Sequence, residues 1–221
     1  MTDLDLAISA DVATITMSDG QNRIGAAAVA AWNEAFDVLE ANDGVSALIV
    51  TGTDRYWSTG LDLDEVETLD PDDLAEFMGE VDRLLARITF APFATIAALN
   101  GHAYAAGALL SLAHDYRIMR RDRGFFCLPS IDVRIPFSPG MSSLIAAKLP
   151  QPIAHDLVIS CRKIGGDEAE ATGVIHIAAD DHDVIPQAEA LARSLVGKDR
   201  TTMTTVKRRM YPRVADQLGA S

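Results

Sequence analysis

Leu4, Leu6 and Ile8 alternate with polar neighbours, and apolar or β-branched residues resume at Val12, Thr14 and Ile15 beyond Ala10-Asp11. Alternation places successive side chains on opposite faces of an extended chain, so this stretch predicts two short strands joined by a turn, an N-terminal hairpin. After the turn-rich segment SDGQNRIG the period changes. Val29, Trp32, Phe36 and Leu39 fall at helical spacing, and Asn42-Asp43-Gly44 supplies the stop. Ala47 to Val50 predicts a short apolar strand, followed by a loop from Gly52 to Gly60 and a helical turn beginning near Leu61. A longer helix opens at Asp70-Pro71-Asp72-Asp73 and runs towards Phe90. Its start combines a capping carboxylate, a proline where no N–H is needed and acids at the positive end of the helix dipole.

Phe93 to Leu99 repeats the strand, Asn100-Gly101 breaks it, Ala105 to Ala113 has helix propensity, and Tyr116 to Met119 returns as strand. Two strand-turn-helix units in succession predict an α/β layered fold with parallel strands. Beyond Pro139 the pattern is mostly helical, with helices expected over Met141 to Lys148, Ile153 to Ser160, Pro186 to Val196 and Thr202 to Leu218. We divide the chain into a core over 1–160 and a helical portion over 161–221 that does not fold independently.

The 221 residues are 48% hydrophobic and 23% charged, which argues against disorder and provides ample material for a core. The formal charge of −13 repels polyanions, so nucleic acid and anionic membranes are excluded as general partners, and a phosphate ligand must meet a local cationic patch. Cys127 and Cys161 are the two cysteines; they make no disulfide framework and lie in no paired metal-ligand spacing, which fits a reducing cytoplasm. The first residues carry acids where a secretory signal carries bases. The most apolar stretch, Phe93 to Ala113, is interrupted by Asn100, Gly101, His102 and Ser111, so no membrane insertion is expected.

Two loops bear on chemistry: Tyr56 to Leu63 and Asn100 to Gly107. Each falls after a strand and before a helix, where unpaired backbone N–H groups at a positive helix end can face a developing anion. Small residues at Ala105, Ala106 and Gly107 let a carbonyl approach the backbone, as an oxyanion hole requires. Taken singly, each loop is better explained by tight helix-sheet packing, with Asp62 favouring a helix N-terminus.

Their order and combination resemble the enoyl-CoA hydratase/isomerase, or crotonase, superfamily. The first oxyanion loop of that family, F-x-A-G-x-D-L, matches Trp57 to Leu63; its second, N-G-x-A-x-G-G-G, matches Asn100 to Gly107; its F-x-x-P-E loop matches Phe126 to Val133. Similarity runs from about Leu4 to Ala178 and is greatest to monofunctional delta-3,delta-2-enoyl-CoA isomerases of the plant peroxisomal type. The resemblance implies a ClpP/crotonase fold of repeated ββα units, an acyl-CoA thioester ligand, and a homotrimer or hexamer. It implies no metal or redox cofactor, coenzyme A entering only as part of the substrate.

By residue-wise carry-over, the backbone amides of Leu61 and Ala106 bind the thioester oxygen. Coenzyme A lies along Thr59, Asp62 and Leu63, with Asn22, Arg23 and Ile24 near its pyrophosphate. Lys207 and Arg208, in the basic cluster of the tail, are further candidates for phosphate attraction; on charge pattern alone they are equally a solvated helix face. Both family glutamate positions are substituted, the first by Leu109 and the second by Ser130. Two-carboxylate hydration and single-glutamate isomerisation therefore both lack their usual groups. Asp132, two residues on, is the nearest replacement carboxylate, reaching the substrate only if the local backbone differs from the family's or the substrate sits differently. His102 and Tyr104 are the other ionisable groups of the active loop, more simply read as packed and hydrogen-bonded. A Ser130-His102-Asp132 triad can be written, although nothing in the spacing brings those residues into contact. The alternative to an isomerase is a catalytically silent acyl-CoA binder.

Overall fold

The computed structural model describes residues 4–219. The chain begins with the expected hairpin, β1 (Leu4–Ser9) antiparallel to β2 (Val12–Met17), with Ala10 at φ +51° in the turn. A two-residue strand β3 (Arg23–Ile24) leads into α1 (Ala26–Ala41), whose first amide donates to the Glu65 carboxylate from another segment. Then follow β4 (Ala47–Gly52), β5 (Tyr56–Ser58), β6 (Gly60–Leu61), the short α2 (Leu63–Val66) and α3 (Pro71–Thr89). Asp70 caps α3 as its sequence predicts, accepting from the amides of Asp72 and Asp73 at 2.9 Å each.

The second unit is β7 (Ala94–Leu99), β8 (His102–Tyr104), α4 (Ala106–Ala113) and β9 (Tyr116–Arg120), followed by β10 (Phe126–Cys127). The remainder comprises α5 (Pro139–Lys148), α6 (Gln151–Ser160), α7 (Gly166–Ala171), β11 (Ile177–Ala179), α8 (Val184–Ser194), α9 (Arg200–Met210) and α10 (Pro212–Gln217).

The main sheet has six strands in the order β1-β2-β4-β7-β9-β11, all parallel beyond the hairpin. Its central strands are buried on both faces, which is why they read as continuous apolar runs instead of alternating ones. Ala47, Ile49, Ala94, Ile96 and Ala98 pack under α8 through Ala188 and Ala192. Leu48, Val50, Ala97 and Leu99 point the other way, into a larger core with Trp32, Phe36, Leu85 and Leu112. On that side lies a second, three-stranded parallel sheet, β10-β8-β5, and a two-stranded pair, β3-β6. The small sheets carry the two loops of interest.

Two expectations for the tail differ from what forms. Residues 161–221 contribute the edge strand β11 to the main sheet, a three-residue segment too short to leave a period in the sequence. The single helix expected over Thr202 to Leu218 is two helices broken at Tyr211, because Pro212 excludes the helical conformation from the residue before it; Tyr211 sits at φ −124°, ψ 53°.

Below the functional loops, the fully buried His114 donates from Nδ1 to the Leu110 carbonyl at 2.8 Å, and its ring meets Trp57 edge-on. Burial pushes His114 down to about 4 from 6.5. Folding therefore weakens proton binding, so this stability is complete above about pH 6.5 and is lost as pH falls towards 4. Urea unfolding should show a loss on the order of 3 kcal/mol for His114 across that window. A midpoint unchanged over the same range would contradict it.

Candidate active site

The geometry begins with contact between two backbones. Gly60 has φ +94°, and a Cβ built there would lie 2.9 Å from the Ala106 nitrogen and 2.9 Å from the Tyr104 oxygen. A Cβ at Gly107 would lie 2.5 Å from the Ser58 oxygen. Both glycines are thus required by close approach: β5 and β6 lie directly against the start of α4. Ala106 is the first residue of that helix, so no intrahelical carbonyl can satisfy its amide, and no side chain caps the helix. The preceding amide, of Ala105, donates to Cys127 O at 3.1 Å. On the facing strand, the Asp62 amide donates to Ile24 O at 3.0 Å, which turns the Leu61 amide to the opposite edge.

Ala105 makes the turn possible at a cost. Its φ of 50° and ψ of −123° lie where glycine is at ease and an L side chain is not, and it occupies the first of the three closing glycine positions of the family loop.

Asn22 and Ser58 hold the first loop in place. Asn22, itself at φ +49°, donates from Nδ2 to the carbonyls of Tyr56 and Trp57 at 3.1 and 3.0 Å. The Ser58 hydroxyl donates to Asn22 O at 2.8 Å and accepts from the Gly60 amide at 3.2 Å.

Between the loops opens a cavity of about 300 Å³, walled by Leu61, Leu63, Met78, Leu109, Phe137 and Met141. Ala106 lines it too, as do the polar residues Thr59, Tyr104, Cys127, Ser130 and Lys163. No carboxylate is among the described residues that line it. Parallel pairing sets Tyr104 beside Cys127. Burial raises both the phenol and the thiol, so each keeps its proton at neutral pH. Lys163 reaches the wall because Ile164 bridges Phe126, and its ammonium lies 5.3 Å from the Tyr104 ring centre. Lys163, Cys127, Met78, Phe137 and Met141 were not foreseen from the sequence: they come from separate segments with no local signal.

The expected site residues divide. Leu61, Ala106, Leu109, Ser130, Thr59 and Leu63 share the cavity. Asp132 does not. Residues 129–135 form a helical turn, with the Val133 amide donating to Pro129 O and the Ile135 amide to Ser130 O. At about 100° per residue, Ser130 and Val133 face inward together and Asp132 points to solvent. The loop does depart from an extended backbone, but in the sense that carries Asp132 outward, away from the cavity. Ser130 is no freer, since its hydroxyl donates to the Ile135 carbonyl. His102 bonds neither Ser130 nor Asp132, and the formal triad has no geometry behind it.

The side chains expected near a pyrophosphate are also otherwise engaged. Asn22 is a buried clamp and Ile24 is core. Arg23 pairs with Asp62 at 3.1 Å and Asp64 at 2.6 Å, and Arg23 and Asp62 line a separate cleft with Gln21 and Glu65. Lys207 is buried: its ammonium donates to Asp115 at 2.7 Å and to the carbonyls of Ala91 and Phe93. Arg208 stacks over Phe90, beside a different cleft. Charge pattern alone could not separate a structural lysine from a ligand-binding one.

The sequence matches the family model described as enoyl-CoA hydratase/isomerase over residues 7–221. It is 34% identical over 175 residues to enoyl-CoA delta isomerase 3 of Arabidopsis thaliana, covering 76% of this chain and 74% of that protein. It is 31% identical to a putative enoyl-CoA hydratase of Thermus thermophilus, covering 79% of this chain and 69% of the relative. Among solved structures, an enoyl-CoA hydratase/isomerase family protein from Pseudomonas syringae superposes with a TM-score of 0.90 at 26% identity, covering 98% of this chain and 94% of that one. A probable enoyl-CoA hydratase of Mycobacterium tuberculosis gives a TM-score of 0.90 at 24% identity, covering 98% and 92%. The last of these bears on fold alone.

Three substitutions test the local account. Ala105→Gly should relieve more strain than it adds in unfolded-state entropy, a gain of about 1 kcal/mol that raises the thermal midpoint by about 2 to 4 °C. Lys207→Met strands the Asp115 carboxylate and should cost about 3 kcal/mol in urea unfolding. Arg208→Met, by contrast, should cost less than about 1 kcal/mol.

Proposed function

The chain belongs to the enoyl-CoA hydratase/isomerase family, and on that premise we propose that its cavity receives the acyl end of a coenzyme A thioester and promotes 3-enoyl to 2-enoyl isomerisation through a stabilised enolate. The observation that carries this reading is the apposition of Gly60-Leu61 and Ala106 at the wall of an apolar cavity. A proton passes from C2 to a water molecule and one returns from water at C4; between the two transfers the thioester oxygen carries negative charge, and two backbone N–H groups, one at a helix start, oppose that charge without reorganising. Each such donor contributes roughly 10²- to 10³-fold in rate. The aliphatic wall of Met78, Leu109, Phe137 and Met141 suits a hydrocarbon acyl chain. Exposed Lys163 supplies a cation at the cavity, which an acidic chain needs near an anionic ligand. The reading includes a homotrimer or hexamer in the cytoplasm, the two thiols remaining unpaired. No helix among the described residues is long and apolar enough to cross a membrane.

A second reading, a silent acyl-CoA binder, is favoured by one observation: no carboxylate faces the cavity among the described residues. The two separate in one assay. Purified protein is mixed with 3-hexenoyl-CoA, and the conjugated 2-enoyl thioester is followed by absorbance beside calorimetric binding. Isomerisation that is kept by Asp132→Asn and lost in Gly60→Ala supports the first reading, because the added methyl falls on the Ala106 amide. Binding without turnover supports the second. No binding at all sinks both.

A further inference from the structure

The wall of the cavity carries a hydroxyl, that of Tyr104, whose hydrogen-bonding direction follows from the second contact of its partner. Tyr104 lines the cavity, and its Oη lies 3.0 Å from His102 Nδ1. That contact alone leaves open which atom donates. His102 has a second partner: the Arg55 Nε–H donates to His102 Nε2 at 3.4 Å. A guanidinium cannot accept, so Nε2 must be the bare nitrogen of a neutral ring and Nδ1 must carry the hydrogen. His102 is therefore the donor to Tyr104, and the phenolic hydrogen remains for another acceptor.

The rest of the cluster supports a fixed neutral ring. His102 is buried and stacked on Tyr104 with ring centres 5.2 Å apart, and it also meets Tyr56 and Phe125 at 5.4 Å each. Desolvation, and then the Arg55, Arg123 and Lys163 charges, hold its proton affinity below the ordinary histidine value. The other uncharged polar side chains of the wall are committed elsewhere, and the Lys163 ammonium stands at the exposed edge of the cavity over the Tyr104 ring. Ser130 donates to Ile135 O, the Cys127 thiol to Cys161 O at 3.2 Å, and the Thr59 hydroxyl to Gln21 at 3.4 Å.

We infer that Tyr104 is the uncharged side-chain hydrogen-bond donor of the cavity, its O–H presented to the acyl thioester because His102, its tautomer fixed by Arg55, donates to the phenolic oxygen. The inference rests on the acyl-thioester reading above. Tyr104 is the ligand-contacting group, and His102 and Arg55 are positioning residues. The device also explains how a cavity lined by no carboxylate among the described residues retains a polar handle that distinguishes a carbonyl-bearing chain from a plain hydrocarbon.

Two measurements test it. In the ligand-free protein, nitrogen-15 correlation spectra of the histidine rings should show His102 neutral with its hydrogen on Nδ1, and Arg55→Met should let that ring take up a proton at higher pH. A hydrogen on Nε2 overturns the inference, because Tyr104 would then spend its own hydrogen on His102. In the second measurement, octanoyl-CoA and free coenzyme A are titrated calorimetrically into wild type and Tyr104→Phe. The variant should bind octanoyl-CoA about three- to tenfold more weakly, with coenzyme A alone unaffected. An equal loss for both ligands points to a merely structural role and overturns the inference, as does no loss for either. Wild type that fails to bind octanoyl-CoA overturns the acyl-CoA reading and this one with it; binding that is indifferent to Tyr104→Phe overturns this one alone.

Discussion

The site depends on two stretches of main chain lying closer than side chains allow. Gly60 meets the Ala106 amide, and Gly107 meets Ser58, at separations that a single methyl group would violate. Everything around them serves that approach. Asn22 and Ser58 cross-brace the first loop with buried hydrogen bonds. Ala105 accepts an unfavourable backbone conformation so that α4 can begin where it does. Strain of this kind persists only where surrounding structure overdetermines it, and here the parallel pairing of β8 with β5 and β10 provides that surrounding structure.

The second constraint is the exclusion of negative charge. A cavity walled by Leu61, Leu63, Leu109 and Met141 has a low local dielectric, in which an unpaired carboxylate would be costly. The chain has many acids, yet the ones nearest this region are turned away or paired. Asp132 is carried outward by a helical turn, and Asp62 caps α2 while pairing with Arg23. What remains is a set of hydrogen-bond donors and one exposed lysine, an arrangement complementary to a carbonyl oxygen that gains negative charge.

The tail is tied to the sheet by a buried polar knot. Asp115 accepts from the Thr95 amide, the Thr95 hydroxyl and Lys207, which also satisfies two carbonyls at the end of α3 and the approach to β7. A basic cluster in an acidic chain thus holds one cation that closes the core and one, Arg208, that packs on an aromatic ring. The sign of the residues was visible along the chain; the division of labour between neighbours was not.

Local pattern was enough to determine the hairpin, the capped helix after Asp70, the apolar strands read at Ala47 to Val50 and Phe93 to Leu99, and the two loops whose small residues permit close backbone approach. Periodicity and capping act over a few residues, so they are written into consecutive positions. Tertiary structure alone decided which side chains share the cavity. Strands of two or three residues leave no period, and Lys163 reaches Tyr104 only through the bridge between Phe126 and Ile164. It also decided that Asp132 faces water and Lys207 faces the core, because the direction of a side chain follows from the turn it sits in and from the partners that distant segments bring to it. No residue spacing encodes either one.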